Sequence, residues 1–125
     1  MDNGWKICQA RPSAKRRGER IYVSLNKRGE IAMNAEAFRR INQPANVTLL
    51  YYAADRWIGV KYPVPADRHF FPVRRYGRDR KMRIVRGQRL LRQFEISVEK
   101  TLVFVNPEIV MFEGSPMIVL DLEPR

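Results

Sequence analysis

Residues 23–34 read VSLNKRGEIAMN, and this stretch changes character twice. Val23 and Leu25 alternate with Ser24 and Asn26, the two-residue period of a strand with one face buried. Lys27-Arg28-Gly29 interrupts the alternation with a basic tip, in which glycine is free to adopt positive φ. Ile31 and Met33 then resume a buried face. Asn34 supplies a side-chain acceptor for a helix start, and Glu36 in the first turn suits the helix dipole. The stretch therefore predicts a hairpin (20–26 with 30–33) that runs directly into a helix at about 35–41.

Reading outward, the helix buries Phe38 and Ile41 and stops at Gln43-Pro44. Residues 46–53 (NVTLLYYA) and 57–62 (WIGVKY) form a second predicted hairpin around Ala54-Asp55-Arg56. Pro63-Val64-Pro65-Ala66 is a stiff connector. Strands are next predicted at 70–75, where Pro72 demands an edge or a bulge, and at 81–85. A short helix is predicted at 87–94, then a strand at 101–105 that is broken by Asn106-Pro107 and continues at 109–112, and a closing strand at 117–122. The order strand-strand-helix-strand-strand thus occurs twice, and the expected fold class is α+β and strand-dominated. In segments, 1–19 is a flexible basic arm, 20–62 a first half, 63–69 a proline-rich connector and 70–125 a second half. The apolar faces predict a core of Ile21, Val23, Leu25, Phe38, Ile41, Leu49, Ile58, Leu91, Phe94, Val103, Val119 and Leu120.

Residues 20–62, with their strand, basic-glycine turn, short strand, short helix and second hairpin, resemble the swapped-hairpin fold of the AbrB, SpoVT and MraZ regulators. Asn34 stands where a proline often starts that family's helix, and Glu30 follows the turn glycine where Gln or Arg is common. The resemblance implies two swapped-hairpin-like ββαββ halves forming an intramolecular pseudo-dimer, either monomeric or as a homodimer. It also implies DNA binding in transcription regulation.

The 125-residue chain has 24 Lys and Arg against 13 Asp and Glu, a formal net charge of +11. The excess is uneven: residues 1–92 hold 22 basic and 7 acidic side chains, whereas 93–125 hold 2 and 6. One basic end aimed at a polyanion is the expectation, and nucleic acid is the commonest such partner. An acidic protein partner and RNA are the alternatives. No apolar run approaches the roughly 18 residues of a membrane span. The N-terminal 17 residues do not read as a secretory signal, so the cytoplasm is the expected location.

Catalytic chemistry finds little footing. His69, the lone histidine, lies in an aromatic stretch and reads as structural, and Cys8 has no neighbouring base. Neither a phosphate-cradling glycine loop nor a metal-ligand spacing occurs, so no catalytic residue, metal or cofactor is expected. Basic residues carry the functional expectation. Residues 68–92 hold ten Arg or Lys against Asp79 alone. The expected nucleic-acid contacts are Lys27, Arg28, Arg74, Arg75, Arg78, Arg80, Lys81, Arg83, Arg86 and Arg89, with arginine suited to bidentate phosphate contact. Tyr22, Tyr51, Tyr52, Trp57 and Tyr76 are candidates for base stacking or for cross-strand pairing.

Overall fold

In the computed structural model, which describes residues 20–123, the stretch that opens the chain forms the predicted hairpin. Strand β1 (Tyr22–Leu25) pairs antiparallel with β2 (Glu30–Met33), Val23 opposite Met33 and Leu25 opposite Ile31. All four of those side chains are buried. The tip is fixed by Asn26, whose Oδ1 accepts from the backbone N–H groups of Arg28 and Glu30, each at 3.0 Å. Helix α1 (Ala35–Arg40) follows at once, and Asn34 Oδ1 accepts from the Ala37 N–H at 2.9 Å. The Asn34 amide also donates to the Arg20 carbonyl at 2.8 Å, tying the helix start back to β1. The basic arm and Cys8 expected within 1–19 lie outside the described residues.

Strands β3 (Asn46–Tyr52) and β4 (Trp57–Lys61) form the second hairpin, and β5 (Phe71–Tyr76) and β6 (Met82–Arg86) a third. Helix α2 (Gln88–Gln93) comes next, followed by β7 (Leu102–Val105), β8 (Glu108–Phe112) and β9 (Ser115–Asp121). All nine strands belong to one antiparallel sheet in the order β7-β1-β2-β6-β5-β3-β4-β9-β8. The first and last strands in that order, β7 and β8, are separated in sequence only by Asn106 and Pro107, and the sheet curls into a half-barrel.

This topology corrects the expected fold. The strand-dominated character stands, but two ββαββ halves forming a pseudo-dimer do not. Hairpin β1-β2 is separated from β3-β4 by the intervening β6-β5, and β9-β8 flank β4 on the far side. Three strands, not two, follow α2. The hairpins of the two chain segments alternate along one sheet because each presents an apolar face to a shared core. That core draws Val23, Ile31, Phe38, Val47, Ile58, Val85, Leu91 and Ile118 into a single cluster.

Two members of the expected core face outward. Val103 is 63% exposed because it pairs opposite Ser24, so β7 turns Leu102 and Phe104 inward instead. Phe94 is 40% exposed at the end of α2, which buries Leu90 and Leu91. Leu49 and Val119 are half-buried.

One irregularity of the sheet creates the site described next. Strand β3 pairs with β5 only through Asn46 and Val47, and from Thr48 onward its ladder is with β4. Residues 68–70, which lead into β5, therefore run beside Leu49–Tyr51 without pairing to them, and α2 packs over the resulting gap. Pro72 fits β5 because the ladder with β6 begins only at Val73.

Candidate nucleic-acid interface

Gly29 places the basic tip. Its φ is +84°, and a Cβ there would meet the Gln88 Cα at 2.7 Å and the Gln88 nitrogen at 2.8 Å. The Gly87 N–H donates to the Gly29 carbonyl at 2.8 Å. Lys27 and Arg28, both exposed, thus sit on a turn pressed against the start of α2. Arg86, opposite Glu30 in the ladder, and Arg89 on α2 are exposed at this same end of the molecule.

The remaining expected contacts lie elsewhere. Arg78, Arg80 and Lys81 occupy the β5-β6 turn, at the far end of β6 from Arg86. Over the length of β6 this is a separation of about 13 Å at roughly 3.3 Å per residue. Arg74 pairs with Ile84 on the face away from Val73 and Val85, and it is exposed. Arg75 and Arg83 oppose each other on the core side. Arg83 is half-buried, its guanidinium 4.6 Å from the Phe38 ring centroid. Its Nη1 donates to the carbonyls of Arg80, Lys81 and Met82 at 3.3, 3.0 and 3.3 Å. Burial and then the neighbouring Arg75 push its pKa down. Arg83 therefore fastens the β5-β6 turn to α1, and the ten basic residues divide into a tip-and-α2 group, a turn group, and Arg74 on the outer face.

Beside the tip-and-α2 group lies a groove of about 780 Å³. Leu49–Tyr51 of β3 line it together with the splayed segment 68–72 and helix α2. Four arginines, Arg68, Arg86, Arg89 and Arg92, line it with no Asp or Glu among them. Elsewhere among the described residues, ion pairs join Arg39 and Arg40 to Glu36, Arg56 to Glu123, and Lys61 to Asp67 and Glu113. Among the described residues none of these engages a groove arginine, and all four arginines are exposed. Phe70 and Phe94 add exposed aromatic surface, and the Phe94 ring lies 5.1 Å from that of Tyr51. Tyr52 and Trp57, by contrast, form a cross-strand pair at 5.6 Å.

Arg68, Arg92, Phe70 and Phe94 were not among the expected contacts. Their signal was the run Arg68-His69-Phe70-Phe71 after a proline-rich connector, which sets basic beside aromatic residues, and the four-residue spacing of Gln88, Arg89, Arg92 and Gln93 on the exposed side of α2. Among the described residues no group of three or more His, Cys, Asp or Glu side chains is placed to hold a metal ion, and no helix is long and apolar enough to cross a membrane. Set against family models, curated proteins and solved structures, the chain matches none of them.

Proposed function

We propose that this protein is a non-enzymatic nucleic-acid-binding protein of the cytoplasm, with DNA the favoured target and transcription regulation its role. The observation that carries this reading is the concentration of arginine in a groove that, among the described residues, no Asp or Glu lines, at the end of the molecule holding the β1-β2 tip and α2. Arg68, Arg86, Arg89 and Arg92 share one groove, and Lys27 and Arg28 adjoin it on the tip. Arginine forks match phosphate oxygens bidentately, and neutralised phosphates release counterions, which supplies the affinity.

Fluorescence anisotropy with random-sequence duplex and single-stranded probes at physiological salt tests this reading. A dissociation constant tighter than about 0.1 mM for at least one probe is expected, stronger than the weakest non-specific binding of basic proteins. Weaker binding to every probe, with an acidic protein co-purifying, contradicts it.

A further inference from the structure

We infer that the groove between α2 and segment 68–72 binds nucleic acid as an unpaired strand, its phosphates on the arginines and its bases stacked on Phe94 and Phe70. This rests on the nucleic-acid reading above and specifies the form of the ligand. The charge alone would suit either a duplex or a single strand, so the aromatic rings decide between them.

Phe94 and Phe70 are 40% and 47% exposed, although neither belongs to an edge that another strand of the sheet could cover. The exposed part of such a ring, held in water beside the groove arginines, adds nothing to folding. It does present a π-face, which a base can use only when that base is not already stacked and paired within a duplex. Tyr51 supports the Phe94 ring from one side at 5.1 Å, with the planes tilted by 38°, which fixes its orientation while leaving it exposed. Gln88 and Gln93, exposed on the groove wall, carry amide groups that can donate to and accept from base edges without a charge requirement. The volume of about 780 Å³ falls within the range of about 300–1,000 Å³ usual for ligand clefts. A basic track with interleaved aromatics is the arrangement by which single-strand binders hold a chain with little sequence preference.

The test uses the full chain and three fluorescent probes of one random sequence: single-stranded DNA, single-stranded RNA and duplex DNA, each of about 12 nucleotides. Phe94→Ala and Phe70→Ala should each weaken single-strand binding roughly tenfold, through lost stacking, and leave the salt dependence unchanged. Duplex binding should not change. Both rings are exposed, so thermal unfolding should stay close to the parent's; Phe94→Trp, which keeps a stacking face, should restore single-strand affinity if Phe94→Ala perturbs α2. Preference for DNA or for RNA is read from the same titrations, and the groove assignment holds for whichever strand the two substitutions weaken. Single-strand affinity unchanged in both alanine variants, or duplex affinity reduced to the same degree, overturns the inference while the broader reading survives. Binding of none of the probes by the parent chain overturns that reading itself.

Discussion

At the scale of single residues, Gly29 and Asp67 each carry a structural demand that no other side chain meets. Gly29 combines a left-handed φ with a backbone contact to Gln88, whereas Gly114, at φ +80°, has nothing within 4 Å of where its Cβ would be. Gly114→Ala should therefore cost only the left-handed backbone penalty, about 1–2 kcal/mol, and Gly29→Ala measurably more, because the β1-β2 tip would have to leave α2. Denaturant titration of the two variants checks this. Asp67 sits under the connector. Its carboxylate accepts from the Val64 N–H at 2.9 Å and the Thr48 hydroxyl at 2.8 Å, and it lies 3.3 Å from the Lys61 Nζ. The Val64 hydrogen bond first, then those of Thr48 and Lys61, outweigh burial and hold its pKa below the ordinary aspartate value. A depressed folded-state pKa means that this stabilisation is complete above the ordinary aspartate pKa, near 3.8, and is lost as the pH falls through the folded-state value. In Asp67→Asn, stability should fall less steeply with pH below about 4 than in the parent, as followed by urea midpoints across the acid range. Lys61, 1% exposed, makes the converse prediction. Asp67→Ala strands a buried ammonium beside the exposed Glu113 alone, and should cost about 3–5 kcal/mol, more than Lys61→Met, which removes the buried charge itself.

At the scale of elements, α1 is the joint between the first hairpin and β6. Phe38 is buried beneath the Arg83 guanidinium, and Arg83 in turn holds the β5-β6 turn. Phe38→Ala should cost about 3–5 kcal/mol in a denaturant titration; a loss below about 1 kcal/mol would make the helix peripheral. The local elements were legible in the sequence because their signals are local. Asn26, Gly29 and Asn34 mark a turn and a cap by chemistry that acts within a few residues, and alternation such as Ile21-Val23-Leu25 marks a buried face. Hairpin neighbours were not legible. The ladder between Ile31 and Val85 joins two apolar strands that look alike to any partner, and nothing near either residue specifies the other. Val103 was misplaced for the same reason: LVFV is apolar on both faces, so only the pairing with β1 decides which face turns inward. Of the candidate site, the arginine surplus of residues 68–92 was visible as composition. The groove was not, since it exists only because β3 leaves β5 after Val47.

At the scale of the whole molecule, one curled sheet distributes the basic residues between two ends of β6, and the proposed binding belongs to one of them. The tip-and-α2 end has exposed rings and a groove that four arginines and, among the described residues, no acid line. The turn end spends part of its charge on itself, since the Arg75 and Arg83 guanidinium groups both donate to the Arg80 carbonyl. The most direct measurement is the slope of log affinity against log salt for single-stranded DNA, compared between Arg86→Ala/Arg89→Ala and Arg78→Ala/Lys81→Ala. All four side chains are exposed, so neither double variant should unfold the protein. The first pair should flatten the slope by about 1.4, from about 0.7 per lost single-strand phosphate contact, and the second should leave it unchanged. A slope that flattens for the turn pair and not for the groove pair would contradict this placement of the binding.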